Sequence, residues 1–245
     1  MSLVLVTGAS SGIGAATARC AAAQGFDIGV HYRGDREGAE AVAADVEAAG
    51  RRAVLLQADV ANGASVKAMF DALDATGLPL SGLVNNAGIV PARNRAFTEI
   101  TDAEVEEVLA INVLGAFRCA RHAVERMREA GGGSIVNVSS SAARLGAPDE
   151  YVDYAASKGA IDTMTIGLAK EVAPLGIRVT GVRPGLIETP IHAKGGQPDR
   201  IRRLAGQVPM ARGGTAEEVA QTIVFLLSEQ ASYVTGSILD VSGGR

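Results

Sequence analysis

Tryptophan is absent from this 245-residue chain, and aromatic residues make up only 4% of it. A core with few large rings has to be closed by small side chains. The 30 glycines and a hydrophobic fraction of 47% suit helices packed tightly on a sheet. Cysteine is scarce as well. Cys20 and Cys119 are the two present, each in an apolar helical stretch. Both read as small buried hydrophobes rather than a disulfide or a metal site. So few cysteines fit a reducing cytosol. His31, His122 and His192 are too scattered to suggest a metal centre. There is no excess of positive charge: the net charge is -4, which argues against a general nucleic-acid binder. No run of like charge suggests a tail. No apolar run reaches the roughly 18 residues of a membrane span. A strand begins almost at once, which leaves no room for a targeting segment, so a cytoplasmic protein without a membrane partner is expected.

What is present is alternation. Leu3 to Val6 reads as a buried strand, followed by a glycine-rich turn and an Ala-rich helix that Gly25 stops. Strands are expected at Ile28–Tyr32, Ala53–Gln57, Gly82–Asn85, Ser134–Val138, Ile177–Val182 and Ser237–Val241. Helices are expected at Glu37–Ala49, Ala64–Asp74, Asp102–Arg128 with a bend near Asn112, Tyr154–Ala173 and Ala216–Ser228. Strand–helix alternation of this kind argues for parallel βαβ units. Pro184 to Gly214 reads as irregular around a short charged segment, Asp199 to Leu204. No repeat or linker interrupts the chain, so residues 1–245 read as one domain.

Tyr154 and Lys158 are four residues apart, which places a phenol and an ammonium on one helix face. A tyrosine with its reference pKa of about 10 is a reluctant proton carrier at neutral pH. A cation at about 4 Å, at an effective dielectric near 20, favours the phenolate by up to about 4 kcal/mol, or about 3 pK units. The pair would then be a general acid/base poised near working pH. Many solvated helix faces carry such a pair, so the spacing alone identifies nothing.

The glycine turn has Gly8, Gly12 and Gly14, not the G-x-G-x-x-G of the usual dinucleotide fingerprint. Its place after the first strand is the usual one for a pyrophosphate, where free amides and the helix dipole face an anion. The plain alternative is a tight strand–helix corner.

Several motifs then arrive in order. Thr7-Gly8-Ala9-Ser10-Ser11-Gly12-Ile13-Gly14 resembles the TGxxxGxG turn of the short-chain dehydrogenase/reductase family, and Asn85-Asn86-Ala87-Gly88 resembles its NNAG segment. Asn112, Ser140, Tyr154 and Lys158 are similar to its catalytic tetrad, and Pro184-Gly185 to its PG turn. The resemblance covers essentially the whole chain. It implies an α/β fold: a Rossmann-like, doubly wound domain with a seven-stranded parallel sheet and helices on both faces. It also implies a nicotinamide cofactor and hydride transfer to or from a carbonyl carbon.

By this resemblance Tyr154 is the proton donor in reduction, Lys158 lowers its pKa and holds the nicotinamide ribose, and Ser140 hydrogen-bonds the substrate oxygen. Asn112 sits at the helix bend and anchors a water leading to Lys158. Ser141 is the alternative to Ser140, because it restores the commoner family spacing to Tyr154. The cofactor-binding residues implied are Gly8, Ser10, Ser11, Gly12, Ile13 and Gly14 of the turn, Asp59 and Val60 at the adenine, and Asn86, Ala87 and Gly88 at the ribose and pyrophosphate. Tyr154, Lys158, Pro184, Gly185, Ile187 and Thr189 complete them at the nicotinamide end. The plain alternative for Asp59 is a helix cap. In members that prefer NAD(H) an acidic residue ends the second strand. Here Tyr32 and Arg33 stand there, and a guanidinium can clamp a 2'-phosphate. NADP(H) is therefore expected over NAD(H), with Asp35 as a rival acidic ligand.

The segment from about 190 to 212 is expected to be a lid over the substrate. His192, Lys194, Asp199, Arg200, Arg202 and Arg203 could greet an acidic substrate, but a solvated helix face is the preferred reading. Val90, Arg93, Arg95, Arg144, Glu150 and Tyr151 are candidates for the pocket rim, with Tyr151 as an aromatic wall. The Glu-Tyr-Val-Asp-Tyr run resembles bacterial reductases of glucose dehydrogenase-like and 3-oxoacyl-carrier reductase-like type. The family further implies a homotetramer, with a dimer second, because the apolar strand Tyr233–Val241 needs cover at the sheet edge. A small carbonyl or secondary alcohol is the expected substrate. A dinucleotide-binding redox sensor or scaffold without turnover is the alternative, and an epimerase or dehydratase comes third because the chain is short.

Overall fold

β1 (Leu3–Val6) is buried at every residue, and its side chains alternate between two separate cores. Val4 and Val6 join one core; Leu3 and Leu5 join the other. This is the period-2 geometry of a strand covered on both faces, as parallel sheets require.

The computed structural model describes residues 2–91, 94–191 and 196–245. With β1 run β2 (Asp27–Tyr32), β3 (Ala53–Gln57), β4 (Leu80–Asn85), β5 (Gly133–Val138), β6 (Ile177–Pro184) and, later, β9 (Ile238–Val241). They form a seven-stranded sheet in the order β3-β2-β1-β4-β5-β6-β9, and every pairing is parallel. The order reverses between β1 and β4, so a crevice opens beyond their carboxyl ends.

The helices between strands are α1 (Gly12–Ala23), α2 (Arg36–Ala48), α3 (Gly63–Asp74), α4 (Asp102–Leu109), α5 (Ala116–Glu129), α6 (Ala142–Leu145), α7 (Val152–Val172), α8 (Arg200–Leu204) and α9 (Ala216–Leu227). The first core takes Ala18 and Ala21 of α1, Val42 of α2 and Val219 and Ile223 of α9. The second takes Phe70 of α3, Ala123 and Met127 of α5 and Ile161 of α7. Few large rings are needed because alanines bring α1 close to the sheet.

The bend expected near Asn112 is a π segment, Ala110–Gly115, joining α4 to α5. The extra residue per turn is a recurrent feature of functional sites. The described residues between Pro184 and Gly214 are more ordered than the composition suggested: β7 (Ile187–Glu188) and β8 (Gly214–Thr215) pair in parallel and tie the two ends of this stretch together. The short helix α6 was not expected either. Its Gly146 cap takes a φ of 75°, which a glycine adopts at little cost.

Candidate active site

α1 begins without a side-chain cap. Ser11 is at its N-cap but makes no capping bond, and its first turn has no acidic residue. By contrast α2, α3, α4 and α9 are capped by Asp35, Asn62, Thr101 and Thr215. The opening amides of α1 are therefore left to an outside anion.

The turn before them is knotted to the end of β4. The Thr7 hydroxyl donates to the Val84 carbonyl at 3.1 Å and accepts from the amides of Asn86 and Ala87 at 2.9 and 3.0 Å. The Asn86 amide group donates to the Thr7 and Gly8 carbonyls at 2.8 and 3.1 Å. A Cβ on Gly14 would stand 2.2 Å from the Gly8 carbonyl oxygen, so the turn admits only glycine there.

His31, passed over in the sequence as an isolated histidine, braces the same turn. Its Nδ1 accepts from the Gly8 amide at 2.9 Å, which leaves its Nε2–H to donate to the Ala58 carbonyl at 3.1 Å. Burial holds the ring neutral and pulls its pKa down to about 4. The only sequence signal was a polar residue in a wholly buried strand.

A cleft of about 410 Å³ follows this turn, lined among others by Gly8, Ser10, Ser11, Tyr32, Arg33 and Asp59. Val60, Asn86, Ala87 and Gly88 line it too. Uncapped amides, a glycine-only approach and a cleft beside them fit a dinucleotide. Arg33 is exposed and, among the described residues, forms no ion pair. Asp35 caps α2 by accepting from the Gly38 amide at 3.1 Å. Asp59 accepts from the Ala61 amide at 2.9 Å, while the cap of α3 is Asn62.

A second cavity, of about 150 Å³, shares Ile13, Asn86, Gly88, Thr189 and Ile191 with the first and so adjoins it. Ser140, Tyr154, Lys158, Pro184, Gly185 and Ile187 line it. α7 carries Tyr154 and Lys158 on one face, and both line this cavity together with Ser140. Ser140 Oγ also accepts from the Ala142 amide at 3.1 Å. Ser139 points elsewhere, donating to the Lys158 carbonyl at 3.1 Å. Ser141 lines the cavity and starts α6. Lys158 Nζ donates to the Val138 carbonyl at 2.8 Å.

Asn112 lies in the π segment and is 2% exposed. Its side chain clasps the backbone of Ile89, accepting at 2.8 Å and donating at 3.0 Å, and donates to Ser157 Oγ at 3.1 Å. Gly88 sits against it: a Cβ there would be 3.1 Å from Asn112 Oδ1.

The electrostatics differ from the expectation. Burial raises Tyr154 above its ordinary value, and the Ser140 hydroxyl and the Arg200 charge oppose that rise. Burial pulls Lys158 down to about 8, with Asp162 opposing. The lysine thus stays mostly charged at pH 7 and loses its charge above about pH 8, while burial leaves the tyrosine raised.

The rim also differs from the expectation. Val90, Glu150 and Tyr151 line the cavity, and the Tyr151 ring meets Tyr154 edge-on with centroids 5.4 Å apart. Arg95 does not line it. It is 2% exposed and bonds Asp153 at 2.8 and 3.0 Å and Glu104 at 2.6 Å. Arg144 is exposed and pairs with Asp240. Arg202 and Arg203 are solvated, as preferred, but Arg200 is 6% exposed and faces inward. Arg93, His192 and Lys194 lie outside the described residues.

Among the described residues there is no group of metal-ligating side chains, and no helix is long and apolar enough to cross a membrane.

A family model described as enoyl-(acyl carrier protein) reductase matches residues 8–245. The chain is 52% identical to the uncharacterized oxidoreductase YgfF of Escherichia coli (strain K12), over 100% of both chains. It is 36% identical to the 3-oxoacyl-[acyl-carrier-protein] reductase FabG of Staphylococcus aureus (strain Mu50), covering 98% of this chain and 96% of that one. The crystal structure of a short-chain type dehydrogenase/reductase from Mycobacterium marinum superposes with a TM-score of 0.93 at 31% identity, over 99% of this chain and 94% of that one. The uncapped turn, the cavity shared by Ser140, Tyr154 and Lys158 and these likenesses agree: the chain belongs to the short-chain dehydrogenase/reductase family, whose members are oxidoreductases that use NAD(P)(H).

Proposed function

We propose that this protein is an NADP(H)-dependent oxidoreductase that interconverts a small carbonyl compound and its secondary alcohol. The observation that carries this is the gathering of Ser140, Tyr154 and Lys158 around one cavity that adjoins the cleft of the glycine turn.

The turn residues Gly8, Ser10, Ser11, Gly12, Ile13 and Gly14 would hold the pyrophosphate, with Asn86, Ala87 and Gly88 beside the ribose. Asp59 and Val60 would flank the adenine. Ile187 and Thr189, after Pro184-Gly185, would meet the nicotinamide. Arg33 would receive a 2'-phosphate, and this supports NADP(H) over NAD(H). Once bound, the nicotinamide supplies or accepts the hydride.

The remaining chemistry belongs to the chain. Ser140 Oγ–H and the Tyr154 hydroxyl present two donors to one substrate oxygen, where negative charge develops. Tyr154 passes its proton to that oxygen in reduction and takes it back in oxidation. Lys158, when charged, steadies the phenolate that results. Asn112 acts through position, fixing Ile89 and Ser157 around the helix that carries Tyr154.

The same reading treats residues 1–245 as one catalytic domain in the cytoplasm, assembled as a homotetramer. Exposed Leu109, Leu114 and Phe117 on α4, the π segment and α5, with Ile166 on α7, support a partner copy there. Light scattering at micromolar concentration tests the assembly, and a monomer counts against it. The activity is tested by NADPH consumption against a panel of aldehydes, ketones, diketones, quinones and an acetoacetyl thioester. Tight NADPH binding with no turnover of any of them would favour a binding protein instead.

A further inference from the structure

The lid helix α8 sends one arginine inward. Arg200 donates to both carboxylate oxygens of Glu150, at 2.8 and 2.7 Å, and to Gln197 Oε1 at 3.1 Å. Its guanidinium carbon lies 5.1 Å from the centre of the Tyr151 ring. That ring meets Tyr154 edge-on. Glu150, Arg200, Tyr151 and Tyr154 all line the 150 Å³ cavity. The Arg200 side chain is 7% exposed and that of Glu150 22%.

A bidentate pair of this kind is the strong form of a charged hydrogen bond, and it leaves the guanidinium fork little capacity for another carboxylate. Burial works against Glu150 ionising, but its bonds to Arg200 outweigh that and hold it below the usual range, so both partners are charged. The rest of this wall is apolar: Val90, Ala142, Leu145, Ala147 and Leu186. On this wall Glu150 therefore cancels the charge of Arg200, while Lys158 and Arg245 line other parts of the cavity.

We infer that Glu150 and Arg200 determine substrate charge: paired, they restrict the pocket to neutral, largely apolar carbonyl compounds, and Glu150 is what keeps Arg200 from recruiting a carboxylate-bearing substrate. The inference rests on the cavity being the substrate pocket, and it names the class of compound that the proposed oxidoreductase takes.

Two inert probes of one shape test it without turnover. Benzamide and benzoate are titrated calorimetrically into the protein saturated with NADPH. The wild type is expected to bind benzamide at least tenfold more tightly. Glu150→Gln, which keeps the shape and frees the guanidinium, is expected to reverse that ratio by tenfold or more. The double variant Glu150→Gln/Arg200→Met makes the wall neutral again and is expected to restore the wild-type order. Arg245 also reaches the cavity, so Arg245→Gln serves as the control.

A wild type with no preference for the neutral probe overturns the inference, and this holds even where Glu150→Gln fails to fold. So does a ratio that Glu150→Gln leaves unchanged, or benzoate binding that Arg245→Gln removes and Arg200→Met does not. The catalytic reading is separated by turnover of methyl benzoylformate. Expected binding ratios with no reduction of that ester count against the proposed activity and leave the charge rule standing. Reduction of the ester with unaltered ratios does the opposite.

Discussion

Lys158 Nζ lies 5.7 Å from the centre of the Tyr154 ring and spends a hydrogen bond on the Val138 carbonyl at 2.8 Å. Burial brings this lysine to about 8, while it pushes the tyrosine up. Below about pH 8 the ammonium is charged and can steady a phenolate; above it the charge is lost. With NADPH saturating, kcat/KM for carbonyl reduction is expected to fall above about pH 8. Lys158→Met is expected to lower it about 10²–10⁴-fold, the range of a lost acid/base contribution. A wild-type profile flat to pH 10 would remove Lys158 from the account.

His31 ties stability to pH. Its folded pKa of about 4 lies below the reference value of 6.5. Between these the unfolded chain binds more protons, so stability rises with pH across the window and is lost as pH falls through it. The full effect is about 3 kcal/mol. Urea denaturation at pH 7 and at pH 5 should show the wild type losing stability on acidification, and His31→Gln losing markedly less. Equal losses in both proteins would assign the acid sensitivity to other groups.

Arg95 anchors the start of α7. Its guanidinium holds Asp153, one residue before Tyr154, and Glu104 of α4, while its backbone amide donates to the Glu150 carbonyl at 3.0 Å. Removing one partner strands a buried charge, at a cost of about 3–5 kcal/mol. Arg95→Met should lower the urea midpoint accordingly, and adding Asp153→Asn to the Arg95→Met variant should cost little more. Additive losses would deny the coupling between the two.

Arg33 is exposed at the cleft, where the proposed function puts the adenosine, with no ion-pair partner among the described residues. A charge-assisted contact with a phosphate is worth about 1.5–3 kcal/mol. Arg33→Ala is therefore expected to lower the NADPH/NADH ratio of kcat/KM by about 10–100-fold. Tyr32 is left unchanged in this test because it is 4% exposed and part of the core, where an aspartate would destabilise the fold. An unchanged ratio would place cofactor choice elsewhere.

Most of the sheet could be read from the chain because strand, turn and helix signals alternate so regularly. Local patterns located all seven long strands, and the polar Asn112 in an apolar helix marked the π segment. The paired ribbon β7–β8 was missed because two-residue strands have no periodicity. Arg95 and Arg200 were misread for one reason. A sequence shows an arginine, but not the carboxylates 58 and 50 positions away that bury it. Strand alternation could not choose between Ser140 and Ser141, and both line the cavity beside Tyr154. His31 escaped notice for a similar reason, since its partners Gly8 and Ala58 come from two other loops.

The central claim is that Tyr154 transfers the proton, and Tyr154→Phe tests it most directly. The substitution removes one hydroxyl and keeps the ring that packs against Tyr151. On the best carbonyl substrate, kcat/KM should fall about 10²–10⁴-fold while NADPH binds with unchanged affinity. A variant that binds NADPH normally and retains near-full activity would contradict the account.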